Sequence, residues 1–184
     1  IPQLELEGFE ADDLIATYVN LAEKDKIETI IVSSDKDLMQ LVSSKVTMLD
    51  PMKNKKIDIK DVEEKFGVKP NKVIFIQALT GDKVDNIPGA PGIGPKTASQ
   101  LINEFSDING LIKNLDKIKQ EKRRNILIEA ENDIRLSLEL VTLKNDVKIP
   151  DGINKIKTYN ELKYEHNKIF FFLKEQGFRS ISER

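Results

Sequence analysis

The apolar run Ile30-Ile31-Val32 is followed at once by "SSDKD" and preceded by an amphipathic segment, an order that few folds accommodate. A run this short and this apolar suits a strand buried on both faces, as in parallel sheets. Upstream, "GFEADDLIATYVNLAEK" repeats Ala11, Leu14, Ile15, Tyr18 and Ala22 at helical spacing, with Glu10, Asp13 and Thr17 on another face. Downstream, "DKDLMQLV" leaves the strand through Asp35 and Asp37 and opens a short helix. Helix, buried strand, acidic loop and helix predict an α/β fold.

The rest of the chain extends that reading. "KVTMLD" is a second strand and "PMKNKK" a basic turn. "IKDVEEKFG" and "KPNKVIFIQALTG" form helices, Gly67 closing the first and Pro70 starting the second. From Gly94 the pattern turns helical: "GPKTASQLINEF", "DINGLIKNL", "QEKRRNILIEAENDIRLSLELVTL" and, after Pro150-Asp151-Gly152, "ELKYEHNKIFFFLKEQGF". The expected division is an α/β core over residues 1–80 and a helical region over 81–184.

Composition narrows the chemistry. With 184 residues, 39% hydrophobic and 33% charged, the chain suits one domain, or a core with a smaller lobe. No apolar run reaches the ~20 residues of a membrane span and no signal peptide is seen, so a cytoplasmic location is expected. Zero cysteines exclude disulfides, thiolate metal sites and cysteine nucleophiles, and a lone His166 argues against histidine-based triads. Catalysis here must rest on carboxylates, lysines or a hard metal ion. A net charge of -2 rules out a uniformly basic coat but not a basic surface beside an acidic one. The start at Ile1-Pro2, without methionine, reads as a fragment or processed piece.

Three segments place carboxylates where structure exposes them. Glu10, Asp12 and Asp13 fall in a first helical turn, Asp35 and Asp37 just past a strand's carboxyl end, Asp82 and Asp85 at a helix exit. Each set alone has an ordinary role: dipole partners, a capped helix start, turn residues. Gathered at the carboxyl end of a sheet, where α/β sites form, they would repel one another unless a cation neutralises them. Magnesium or manganese suits an all-oxygen donor set. Two such ions, ~3.5–4 Å apart, clamp both oxygens of a phosphodiester displacement without a histidine base.

"GAPGIGPKT" offers the opposite chemistry. It has the glycines, Lys96 and Thr97 of a P-loop, but Pro95 interrupts that motif and no buried strand leads into Gly89. A helix-hairpin-helix fits better: Gly89, then Gly92-Ile93-Gly94 as the hairpin, with Ile93 packed inward and Lys96 and Thr97 opening the next helix. Free N–H groups at such a helix start face a phosphate without reading bases. An ordinary turn before a helix is the plainer alternative. Among the remaining features, Lys119, Lys122, Arg123 and Arg124 read as a solvated helix face, Phe170, Phe171 and Phe172 as core, and His166 as surface.

"GFEADDLIATYV", "SSDKDLMQLV" and "ALTGDKVDNIPGAPGIGPKTASQLI" together resemble the 5′-nuclease domains of bacterial DNA polymerase I, within the flap endonuclease family. The likeness runs from about Leu4 to Phe105 and less sharply to about Phe178. It implies a PIN-like parallel-sheet core followed by a helix-three-turn-helix lobe, and a monomer that cuts 5′ flaps or 5′ ends of duplex DNA in primer removal and repair. By resemblance, Glu10, Asp12 and Asp13 belong mainly to a first metal, and Asp35, Asp37, Asp82 and Asp85 to the shell of a second. Gly89 to Thr97 would hold the duplex, with a potassium ion on loop carbonyls, and a polymerase domain would be continuous with this one.

Family members also carry an opening strand with an aspartate, a further aspartate and a basic helical arch. These would precede Ile1, with the missing strand central to the sheet and the missing acids in the first metal's shell. The chain alone is therefore expected to bind DNA weakly, without sequence preference, and to cut poorly. Two other readings stay open from the residues: a DNA-binding module whose acids are only caps, and a magnesium phosphohydrolase for small phosphate esters.

Overall fold

The strands Thr29–Val32 (β1), Val46–Asp50 (β2) and Lys55–Ile57 (β3) form one sheet in the order β1-β2-β3. The computed structural model describes residues 3–149 and 165–182. β1 and β2 pair in parallel, Thr29 opposite Val46 and Val32 opposite Leu49, while β3 returns antiparallel with Asp50 opposite Lys55. The α/β expectation holds, but "PMKNKK" is more than a turn. Its last two lysines are already strand, and the turn proper is capped by buried Asp50, whose Oδ1 accepts from Met52 N–H and Lys53 N–H at 2.9 and 3.2 Å.

β1 is not buried on both faces. Ile31 is 6% exposed, whereas Ile30 and Val32 are each 63% exposed. Side chains alternate along a strand, and in the described residues only the Ile31 side meets the core, among Val19, Leu38, Val46 and Met48. An apolar run therefore reads as two-sided burial when only one side is covered.

The helices are Ala11–Lys24 (α1), Ile59–Phe66 (α2), Val73–Thr80 (α3), Pro95–Phe105 (α4), Ile108–Lys113 (α5), Glu121–Glu129 (α6) and Glu131–Val141 (α7), with a 3₁₀ turn at Asp37–Leu41. α2 starts at a capping box. Asp58 Oδ1 accepts from Lys60 and Asp61 N–H at 2.8 and 3.2 Å, Asp58 N–H donates to Asp61 at 3.0 Å, and left-handed Gly67 ends the helix. The long segment from Gln120 to Leu143 is two helices, not one. Ala130, at φ -89° and ψ 6°, closes α6 and opens α7, and Leu127 and Ile134 on either side of it are both fully buried.

One cluster of buried side chains runs from Val19 through Met48, Ile76, Leu79 and Ile102 to Ile134, so sheet and helices share a core. Thr17, expected on the polar face of α1, is buried because its Oγ1 donates to Lys144 O at 3.4 Å and accepts from Val147 N–H at 3.2 Å. Residues Glu5–Pro150 make one compact unit. Within the other, helices His166–Glu175 (α8) and Arg179–Ser182 (α9) pack on each other. His166 is exposed there, and so are Phe170, Phe171 and Phe172, at 47 to 64%. Successive residues turn ~100° on a helix, so three consecutive rings cannot all face one neighbour.

Backbone meets backbone closely at Gly81 and Gly89. A Cβ on Gly89 would overlap Gly81 N, one on Gly81 would lie 2.6 Å from Ile87 O, and both glycines are left-handed, at φ 63° and 65°. Gly92 is also left-handed, at φ 76°, but its side-chain direction is open. Gly89→Ala is therefore expected to lower stability in urea unfolding by ~2–4 kcal/mol through clash plus strain. Gly92→Ala should cost only the ~1–2 kcal/mol of the left-handed backbone.

Candidate active site

The seven acids come from three places in the fold. Glu10 is the N-cap residue of α1 and makes no side-chain cap bond, while Asp12 and Asp13 occupy the first turn. Asp35 follows β1, held by its N–H donating to Ser33 Oγ at 3.0 Å and its Oδ1 accepting from Asp37 N–H at 2.9 Å. Asp82 and Asp85 lie past α3 in a loop closed by two backbone bonds, Asp82 N–H to Ile87 O at 2.9 Å and Ile87 N–H to Asp82 O at 2.7 Å.

Electrostatics tie these places together. The Asp12 carboxyl is held above its ordinary value by partial burial and then by Asp35, Asp37, Glu10 and Asp13. Asp37 is likewise raised, by partial burial first and then by Asp35, with Asp85 adding to it and Lys36 and Gln77 opposing. Acids from α1 and the two loops thus share one field. They do not form a finished cage: among the described residues no three Asp, Glu or His gather in metal-holding geometry.

Particular contacts hold some of them elsewhere. Asp82 is ion-paired with Lys36, which keeps its carboxyl below the ordinary range, and Asp13 Oδ1 accepts from Lys144 N–H at 2.9 Å. The donor set itself suits a hard divalent cation, because it is all oxygen and two of its carboxyls are raised partly by neighbouring negative charge.

Residue-by-residue reading of the sequence missed the groups that hold the acids. Gln77 is 7% exposed, donates its amide to Asp37 and leaves Oε1 without a partner. It stands alone on the otherwise apolar α3 "VIFIQALT", a visible signal. Ser137 is fully buried on the apolar stripe of α7, where its Oγ accepts Gly89 N–H at 3.0 Å.

The glycine hairpin leads from this loop into α4. Ala90 N–H donates to Leu79 O at 2.8 Å and Ile93 N–H to Ala90 O at 3.1 Å. Ile93 is 5% exposed and packs inward. Gly94 is the N-cap of α4 with no side-chain cap, followed by Pro95, while Lys96 is exposed and Thr97 half-buried. A Cβ on Gly94 would meet nothing within 4 Å, and its φ of -89° suits any residue. Nothing inside the protein requires glycine there.

Two family models match adjoining parts of the chain: "5'-3' exonuclease, N-terminal resolvase-like domain" over residues 1–67 and "5'-3' exonuclease, C-terminal SAM fold" over residues 68–164. The chain belongs to the 5′-3′ exonuclease family. It is 48% identical over its whole length to a DNA polymerase I of Rhizobium leguminosarum, covering 18% of that protein. Against a 5′-3′ exonuclease of Aquifex aeolicus it is 38% identical, again over its whole length, and covers 65% of that protein.

A bacteriophage T5 flap endonuclease, solved as a pseudo-enzyme-product complex with DNA and metal ions, superposes with a TM-score of 0.70 at 27% identity. That match covers 78% of this chain and 53% of the phage protein. The chain spans about a fifth of the polymerases it matches. No described helix is long and apolar enough to cross a membrane.

The raised carboxyls carry a pH signature in this 5′-3′ exonuclease chain. Because folding raises the Asp12 pKa above 3.8, ionisation opposes folding; the cost is absent below pH 3.8 and complete above the raised value. Without divalent ions, Asp12→Asn is expected to raise the urea midpoint at pH 7, relief of the half-buried charge and then of its repulsion by neighbouring acids outweighing the ~0.3–1 kcal/mol helix-dipole attraction it loses. The gain should vanish as pH falls to 3.8. A midpoint equal to or below the parent's at pH 7 refutes this.

Proposed function

We propose that the chain supplies the greater part of a metal-dependent 5′-nuclease site, one that hydrolyses phosphodiester bonds at 5′ flaps or 5′ ends of duplex DNA. The observation that carries this reading is the common field joining Asp12, Asp35, Asp37 and Asp85, beside a hairpin whose Gly94 is open to an outside backbone. Glu10, Asp12, Asp13, Asp35, Asp37, Asp82 and Asp85 are the proposed ligands of magnesium or manganese, two ions in the complete site. Bound there, such ions activate water and neutralise charge on the reacting phosphate.

The chain's own groups bind and orient. Free N–H groups at the start of α4, with Lys96 and Thr97, hold a non-reacting phosphate of the duplex, while Gly89, Gly92 and Gly94 let the strand approach and Ile93 anchors the turn. Gripping phosphates alone, the hairpin acts on any sequence, and its affinity falls as salt rises. Loop carbonyls there suit a potassium ion. Water's oxygen forms the new bond to phosphorus as the bond to the leaving nucleotide oxygen breaks. The proposed setting is a monomeric, cytoplasmic, DNA polymerase I-type protein acting in primer removal and repair, with residues 1–80 as nuclease core and 81–184 as DNA-holding region.

A second reading, binding without cutting by this chain alone, is favoured by the Lys36–Asp82 ion pair, which occupies a proposed ligand.

Incubation with a labelled 5′-flap duplex and magnesium separates them, run on this chain and on one extended to the length of its exonuclease relatives. The extended chain should cut, Asp35→Ala or Asp85→Ala should abolish cutting while leaving affinity within ~2-fold, and Gly94→Val should weaken affinity ~10-fold at little cost in stability. Extended-chain cutting that survives both acid substitutions overturns the nuclease assignment.

A further inference from the structure

A cleft of about 290 Å³ opens between α2, α3 and the start of α4, with Lys36, Asp37, Lys65, Gln77, Asp82 and Pro95 in its lining. It connects the acid loops to the helix start that follows the glycine hairpin. Two lysines stand in it under different conditions. Lys36 is neutralised by Asp82. Lys65, exposed on the last turn of α2, forms no ion pair among the described residues.

The neighbours of the Lys65 ammonium are soft. Met39 Sδ lies 3.6 Å away and the Phe66 ring centroid 5.2 Å away; a thioether is a weak acceptor and a ring face a weak anion substitute. Partial burial, then Lys53 and then Lys36 hold its pKa below the ordinary lysine range. Lys53 belongs to the β2–β3 turn and is anchored at 3.7 Å to Asp50. At the cleft Lys36 is paired with a carboxylate and Lys65 is not, so an anion entering there meets its charge at Lys65.

We infer that Lys65 contacts a backbone phosphate of the DNA strand that crosses this cleft between the acid loops and the hairpin. This rests on the nuclease reading and adds to it a second phosphate grip beside that of Lys96. The contact is to a phosphodiester oxygen, so it carries no base preference. The fixed start of α2 gives the lysine a rigid base, since the Asp58–Asp61 box and Gly67 hold both ends of the helix.

The test uses this chain and a 5′-flap duplex, with affinity read by fluorescence anisotropy across a potassium chloride series. Lys65→Met keeps the apolar stem and removes only the charge. It should weaken binding ~10-fold at low salt and lower the salt slope by ~1, with Lys65→Arg within ~2-fold of the parent. Its melting temperature should equal or exceed the parent's, because a repelled cation is gone. A duplex with one neutral methylphosphonate linkage at the contacted position should reproduce the loss in the parent chain and add nothing in Lys65→Met.

Parent-like affinity and salt slope in Lys65→Met overturn the inference and leave the nuclease reading standing; no binding by the parent chain at low salt also overturns the inference, while the nuclease reading is decided by cutting in the extended chain. Inorganic phosphate that raises the parent's melting temperature but not that of Lys65→Met, with DNA affinity unchanged, assigns the cleft to a free anion and overturns the DNA contact.

Discussion

Gly81 and Gly89 stand back to back with no room for a side chain on either, and the rest of the site is built on that pinch. It brings the end of α3 against the start of the hairpin, so the loop between them must fold on itself, and the paired bonds of Asp82 and Ile87 close it. Ser137, from distant α7, takes the buried Gly89 N–H. A buried donor left without a partner costs ~1–3 kcal/mol. The acid-bearing loop and the glycine hairpin are consequently parts of one closed turn.

Charge is sorted around that turn rather than spread. The net charge of -2 conceals carboxylates at the ends of α1, β1 and α3 and lysines on α2 and the β2–β3 turn. Where the two sets meet, Lys36 pairs with Asp82 and Gln77 braces Asp37. Chemistry on a phosphate between them needs positive charge near the acids and positive charge farther along the strand. In the proposed function the ions would supply the first, and Lys96 and Lys65 the second.

Local patterns were legible. The α1 periodicity, the strand of Val46–Asp50, Gly67 as a helix end and Gly94-Pro95 as a helix start are set by neighbours within a few residues, where turn chemistry and side-chain spacing act. The exits of Asp35 and Asp82 from their elements were legible for the same reason. Contacts between distant residues were not. Lys36 meets Asp82 across 46 positions, Gln77 meets Asp37 across 40 and Gly89 meets Ser137 across 48; nothing local in "SSDKD" or "IQALTG" states those pairings. β3 was hidden in a lysine-rich turn because its pairing with β2 depends on a partner strand, not on its own apolar content.

Residue order alone narrowed the chemistry: with no cysteine and one histidine, any catalysis rests on carboxylates, lysines or a hard metal ion. It also settled where the acids leave their helices and strands, because those exits depend on local backbone preferences. Folding decided which face of β1 packs on this core, which acid is paired with a lysine, and which lysine is left with a thioether and an aromatic ring for company. Those outcomes depend on side chains brought together from far along the chain, and burial and Coulomb forces act on distance in space, whatever the separation in sequence.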